Sequence, residues 1–223
     1  SVIMVSPDRH LGGLSSGDVG GLKLKWAFAY PGSNRARSQP AIGWNTVFVG
    51  SQNGTVYAFD LDTGCARWTF RAKAEVRTAI VADATGKRLY FGDVMARAYA
   101  LDAMTGKLVW QTKVDDHPNA TITGTPAIGG GMLAVPVSSL EVTSAADPKY
   151  DCCTFRGSLV ALDPATGKPK WRAYSVEQEP TLRGKTSAGA KIIAPSGAPV
   201  WGSPTFDARR NRFYFGSGEN YSS

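Results

Sequence analysis

No stretch of this 223-residue chain is apolar enough, over the twenty or so residues needed, to cross a membrane as a helix. Cysteine is scarce: Cys65, Cys152 and Cys153 are the three present. That count and spacing exclude a four-cysteine zinc site, a Cys-x-x-Cys redox pair and a Cys-x-x-Cys-His haem attachment. The neighbours Cys152 and Cys153 are either two buried thiols or a very small disulfide ring, and the ring would require a non-reducing compartment. Cys65, in the turn Thr63-Gly64-Cys65, reads as a packing residue. Acidic residues are in the minority, 18 Asp and Glu against 25 Lys and Arg, for a formal charge of +7. Basic clusters are missing as well. The longest, Ala208-Arg209-Arg210-Asn211-Arg212, falls in an expected turn, so the excess reads as a solvated basic face and not as a nucleic-acid surface.

What the chain has is a repeat. VYAFDLDTGCARW (56–68), AYALDAMTGKLVW (98–110) and LVALDPATGKPKW (159–171) are near-copies. Each reads as an alternating apolar strand, an Asp, a Thr-Gly turn, a short strand and a Trp. Trp26 lies 42 residues before Trp68, and Trp68 lies 42 before Trp110. The step to Trp171 is 61, one period with an insertion of 19. A period near 42 made of short strands predicts a β-propeller rather than a helical solenoid. The fold class is therefore all-β. The chain, 1–223, reads as one partial propeller domain with blades at about 36–71, 76–112 and 122–173 and an incomplete blade at 200–223. About three and a half blades cannot cover their own flanks, so this is the front part of a larger ring or a piece cut from one. Segment 22–28, LKLKWAF, has the character of a blade's last strand and would complete the final blade of a closed ring.

The second blade serves as template. Its inner strand is expected at 76–82, followed by strands at 88–91, 95–101 and 107–110. Asp102 and Thr105 can satisfy backbone donors in the turn, and Gly106 can take a positive φ. The repeated tryptophans 26, 68, 110 and 171 read as packing between sheets. Function should gather where inner strands begin, around the channel. Those segments are Arg37-Ser38-Gln39-Pro40, Val76-Arg77-Thr78-Ala79, Thr123-Gly124-Thr125-Pro126 and Trp201-Gly202-Ser203-Pro204. Two cations, a hydroxyl and an indole converging there suit a flat, anionic, conjugated ligand. The third blade breaks the pattern with Ser138-Ser139-Leu140-Glu141 followed by VTSAADPKYDCCTFRG, an insertion carrying Glu141, Cys152, Cys153 and Arg156. Insertions on a rigid scaffold are a common way to build a site.

The ordered strings LKLKWAF, NGTVYAFD, VRTA, VDDHP, VPVSSLE, YDCCTFRGSLVALD, GAPVWGSPTFD and YFGSGENYSS cover nearly the whole chain. In them the chain resembles the pyrroloquinoline-quinone (PQQ) dependent alcohol dehydrogenases, and within these the polyvinyl-alcohol dehydrogenase-like quinohaemoproteins. The resemblance implies an eight-bladed propeller, when complete, with PQQ in a funnel at one end and calcium beside it. It implies cofactor contacts from Arg37, Arg77, Thr123, Ser138, Ser139, Cys152, Cys153 and Trp201. Glu141, Glu219 and Asn220 would hold the metal.

Two departures stand out. The family's GSGN motif reads Gly216-Ser217-Gly218-Glu219-Asn220, which adds a carboxylate. The cysteine pair sits in the third blade, whereas in many relatives it precedes the arginine of the second, where this chain has Ala74-Glu75. The implied activity is oxidation of polyvinyl alcohol or other secondary alcohols in the periplasm, with cytochrome c as electron acceptor. The catalytic base and any haem c would lie outside this chain, leaving it inactive alone. Asp115 and Asp116 are expected in a structural turn. The rival reading is a non-enzymatic propeller, a scaffold or binding module of the outer-membrane assembly type, which shares the Asp-x-x-Thr-Gly-x-x-x-Trp repeat.

Overall fold

The computed structural model describes residues 15–222. Strands β1 (Ala41–Gly43), β2 (Thr46–Val49), β3 (Thr55–Asp60) and β4 (Ala66–Arg71) form a four-stranded antiparallel meander in chain order. Strands β5 (Val81–Asp83), β6 (Arg88–Gly92), β7 (Arg97–Asp102) and β8 (Leu108–Lys113) repeat it. The third sheet runs β10 (Ala127–Gly129), β11 (Met132–Ser139), β12 (Ser158–Leu162) and β13 (Pro169–Tyr174), with β9 (Ala120–Thr121) paired to the far end of β11. A one-turn helix, α1 (Glu141–Ser144), opens the insertion between β11 and β12. Then come the hairpin β14 (Thr181–Lys185) and β15 (Lys191–Ala194), strand β16 (Ser196–Gly197), the hairpin β17 (Thr205–Asp207) and β18 (Arg212–Tyr214), and β19 (Asn220–Ser222), which pairs β16. Inner strands are shorter than the alternation suggests. The second blade's inner strand is Val81–Asp83, and 76–80 is approach loop.

Apolar faces of successive sheets make the core. Phe48, Val56, Leu89, Phe91, Tyr99 and Leu101 fill the space between the first and second blades. Tyr90, Ile122, Leu133, Val135, Phe155 and Leu162 do so between the second and third. Removing such side chains from water is the main drive for stacking blades.

The repeated tryptophan and turn form one device. The indole Nε1 of Trp26 donates to Leu61 O at 3.0 Å, that of Trp68 to Ala103 O at 3.2 Å, and that of Trp110 to Pro164 O at 2.9 Å. Each acceptor follows the Asp of the next turn. A Cβ on Gly106 would lie 2.5 Å from Trp68, and φ there is +70°, so both the close approach and the backbone require glycine. Asp60, Asp102 and Asp163 each accept backbone N–H groups of their own turn. A tryptophan at the end of one blade thus bolts onto the turn of the next.

Trp26 therefore clamps the first blade, while 22–28 enters no ladder among the described residues. Trp171 meets Met132 Sδ and Phe213 and remains 38% exposed. Cys65 is exposed rather than packed, because the indole of Trp26 lies on Gly64 and leaves Cys65 outside. Cys152 and Cys153 are bonded to each other.

Candidate functional site

In a meander of four antiparallel strands, two kinds of connection leave the same end. These are the links from an outer strand to the next inner strand, and those between second and third strands. The pairing therefore puts 72–80, 114–126 and 175–204 on one face with 93–96 and 140–157. Arg77, Thr123, Trp201, Glu141, Cys152 and Cys153 lie in these segments, and Ser138 and Ser139 end β11 at the same face. Arg37 precedes β1, and Glu219 and Asn220 follow β18, so they share that face.

Short contacts bring part of this set together. Val200 N donates to Val137 O at 3.1 Å, and Thr125 N donates to Ser203 Oγ at 3.1 Å. A Cβ on Gly124 would lie 2.4 Å from Gly202 O. Trp201 is therefore held one residue from contacts with both the Thr123 segment and the end of β11. Trp201 is 61% exposed, and a Cβ on Gly218 would lie 2.6 Å from its Nε1.

Arg77 is fixed by Glu75, with Nη2 donating to Oε2 at 3.2 Å and Nε 3.1 Å from Oε1 in an ion-pair contact. Arg35 grips the same carboxylate at 3.0 Å. Burial pushes the Glu75 carboxyl up, but the hydrogen bonds and charges of Arg77 and Arg35 outweigh it and hold it below its ordinary value. Arg37 is exposed and makes no ion pair among the described residues.

The insertion of the third blade forms a cap. Cys152 N donates to Lys191 O at 3.1 Å, Ile193 N to Cys152 O at 2.7 Å and Cys153 N to Ile193 O at 3.1 Å. The cysteine pair is thereby added as a strand to the β14–β15 hairpin. Glu141 anchors the cap from beneath. Its side chain is fully buried, Oε1 accepts from Thr154 N at 2.9 Å and Tyr150 Oη at 3.2 Å, and Oε2 accepts from Phe155 N at 2.9 Å. His117 Nε2 stands 3.5 Å from Oε1. Burial raises the Glu141 carboxyl, and His117 with the two backbone donors more than reverses it.

Sequence reasoning gave no role to four residues here: Glu75, Tyr150, Thr121 and Tyr221. Tyr221 Oη donates to Ser139 O at 3.4 Å. Burial first, then the charges of Glu219 and Glu141, push its phenol up to about 12. Its place beside the GSGEN stretch was the available signal. Asp115 and Asp116 flank this region without entering it. Asp115 accepts from His117 N at 2.9 Å and pairs with Arg172 at 2.6 Å, the structural turn expected of it.

A PQQ-repeat family model, described as outer membrane protein assembly factor BamB, matches residues 23–220. The polyvinylalcohol dehydrogenase of Sphingopyxis sp. (strain 113P3) is 41% identical over 214 residues, covering 93% of this chain and 32% of that protein. That of Pseudomonas sp. is 38% identical over 215 residues, covering 94% and 33%. The solved quinohemoprotein alcohol dehydrogenase from Comamonas testosteroni superposes with a TM-score of 0.64 at 25% identity, over 84% of this chain and 30% of that one. The chain belongs to the PQQ-dependent alcohol dehydrogenase family. A europium-containing methanol dehydrogenase shares its fold, with a TM-score of 0.72 at 24% identity over 94% of this chain and 40% of that one. The chain spans about a third of the length of the curated relatives it matches.

PQQ is a planar quinone bearing carboxylates, and the residues of this family member suit it. Arg77 and Arg37 supply cations, and Trp201 supplies an open aromatic face. A buried hydroxyl, Thr121 Oγ1, has no hydrogen-bond partner among the described residues. Calcium fares differently. Among the described residues no three His, Cys, Asp or Glu side chains converge to hold a metal ion. Glu141 Oε1 already accepts several donors, and Glu219 and Asn220 are exposed on β19 and its approach. As they stand, these residues do not assemble a calcium site, and no chemical step is assigned to the metal.

Proposed function

We propose that the full-length protein is a PQQ-dependent dehydrogenase. It would oxidise secondary alcohols, polyvinyl alcohol among them, in the periplasm and pass electrons to a c-type cytochrome. The observation that carries this reading is the placement of an exposed indole (Trp201) and a guanidinium buttressed by Glu75 (Arg77) on one face of a family propeller. The polymer substrate is suggested by the names of the two relatives near 40% identity.

PQQ, when bound, supplies the two-electron acceptor for the alcohol. Trp201 offers a stacking face for its ring system. Arg77, held in place by Glu75, presents a guanidinium to a carboxylate, and Arg37 offers a second charge from the neighbouring blade. Thr123 offers a half-buried hydroxyl ahead of β10, and Ser138 and Ser139 end β11 as buried hydroxyls, Ser139 Oγ accepting from Glu141 N at 2.8 Å. The cap carrying Cys152 and Cys153, anchored by Glu141, walls off one side and excludes water there. Asp115 is committed to Arg172 and the His117 turn, so the proton acceptor is assigned to a later blade. This chain alone is expected to bind without turning over.

The test is a titration of PQQ into the full-length gene product, with and without calcium, followed by quenching of tryptophan fluorescence. Saturable binding weakened at least about tenfold by Trp201→Ala supports the reading. The scaffold alternative is favoured by the description of the matching family model. It would be left standing if the folded full-length protein bound no PQQ.

A further inference from the structure

Arg156 lies three residues beyond the cysteine pair, and its side chain is only 11% exposed. Nη1 donates to Glu177 O at 3.1 Å and Nη2 to Glu179 Oε1 at 2.5 Å. The guanidinium carbon stands 3.9 Å from the centre of the Tyr174 ring. One side chain thus grips segment 174–179, where the chain leaves β13. A planar fork with a stacking face makes these contacts together, and an ammonium group cannot.

The same place is a backbone junction. Gly157 O accepts from Ser175 N at 2.8 Å, and Ser175 Oγ donates to Ala198 O at 2.5 Å. Segment 152–157 runs parallel to 191–198, with register bridges Cys152–Ile192 and Arg156–Gly197. At the second bridge Gly197 N donates to Phe155 O at 2.7 Å and Gly157 N to Gly197 O at 2.8 Å. Ala198 follows with a φ of +46°, a left-handed conformation that a residue bearing a Cβ keeps only where its surroundings hold it. Its N donates to Glu219 O at 2.8 Å. Two buried residues, Pro199 and Val200, then lead to Trp201. They leave little slack, since the proline ring fixes its own φ, Pro199 O accepts from Gly218 N and Val200 N donates to Val137 O. Trp201 is 61% exposed, so its aim is set chiefly by the backbone that delivers it.

We infer that Arg156 is a positioning residue for the stacking face of Trp201. By locking 174–179 against 155–157, it holds the 196–200 strap from which Trp201 projects. The inference rests on the PQQ reading above and adds to it a residue that acts on Trp201 through the backbone alone. It also gives the third-blade insertion a second task, since the parallel pairing that seats the cap is the pairing that sets the strap.

The experiment compares wild type, Arg156→Met, Arg156→Lys, Trp201→Ala and the double variant Arg156→Met with Trp201→Ala in the full-length gene product. PQQ affinity is measured by isothermal titration, and amide hydrogen exchange is measured without PQQ. Arg156→Met should weaken PQQ binding about tenfold in wild type and by less than about twofold where Trp201 is already alanine. Arg156→Lys should stay weak, because it keeps the charge without the fork. The amides of Gly197 and Ala198 should exchange faster in Arg156→Met, while those of β6 keep wild-type protection. Equal losses with and without Trp201 would overturn the inference, since they would mean general loosening. Full affinity in Arg156→Lys would overturn it by showing that charge alone matters, and so would unchanged exchange at 197–198. Should Arg156→Met not fold, Tyr174→Leu removes the ring beside the guanidinium and should weaken binding about threefold with the same dependence on Trp201. Wild-type affinity in that variant would count equally against the inference. If wild type itself binds no PQQ, the cofactor reading falls and takes this one with it, an outcome distinct from a wild type that binds and variants that match it.

Discussion

Glu75 is one residue whose surroundings decide its chemistry. It stands two residues before Arg77, and it receives Arg77 and Arg35 on one carboxylate. Its folded pKa lies below the unfolded value of about 4.3. The stability it contributes is therefore fully present above that pH and lost as pH falls through the lower folded value. Glu75→Gln should flatten that part of the acid limb in a stability-against-pH series, while a slope identical to wild type would show the pair to be inert. The same substitution unties Arg77, so PQQ affinity should fall by a factor of about three to ten. Glu141 works on the same scale with a different outcome. Its donors make it the anchor of the cap.

The Trp–turn bolt governs the elements. Trp110 is buried at 8% exposure and donates to Pro164 O, whereas Trp171 stands 38% exposed on Met132 and Phe213. Trp110→Ala should cost about 3–5 kcal/mol by emptying a packed inter-blade site. Trp171→Ala should cost under about 1 kcal/mol. Denaturant midpoints of the two variants measure the difference directly, and equal losses would mean that the bolt contributes nothing beyond general packing. The insertion shows the opposite design. It extends the β14–β15 hairpin by backbone pairing at Cys152 and Cys153, so its position depends on a partner some forty residues away in sequence.

On the scale of the molecule, the starts of successive inner strands line one side of the channel. Pro40, Ile80, Pro126, Pro204 and Phe206 border an open cavity of about 480 Å³. A ligand held beside Trp201 and Arg77, outside that cavity's lining, is walled by these blades on one side only, whereas a pocket gains affinity as more of the ligand surface is enclosed. PQQ should bind the full-length gene product at least about tenfold more tightly than this chain, as isothermal titration of both would show. Equal affinities would place the whole pocket in these blades.

The all-β meander was legible in the sequence because a repeat of 42 residues imposes itself through local rules. Alternation makes the strand, Asp and Thr satisfy the turn, and glycine takes the positive φ. Arg77, Thr123 and Trp201 were legible as a group because each precedes an inner strand, and the meander sends all such segments to one face. The lengths of the inner strands were not, since 76–80 alternates like a strand yet has no ladder partner. Nor was the exposure of Cys65, which follows from where the Trp26 indole lies. The occupied state of Glu141 and the orphaned hydroxyl of Thr121 could not be read at all. Both depend on which atoms meet across tens of residues, and a carboxylate or a hydroxyl looks the same in sequence whether its partners are present or missing. Periodicity determined the scaffold; long-range contact decided the chemistry of each group on it.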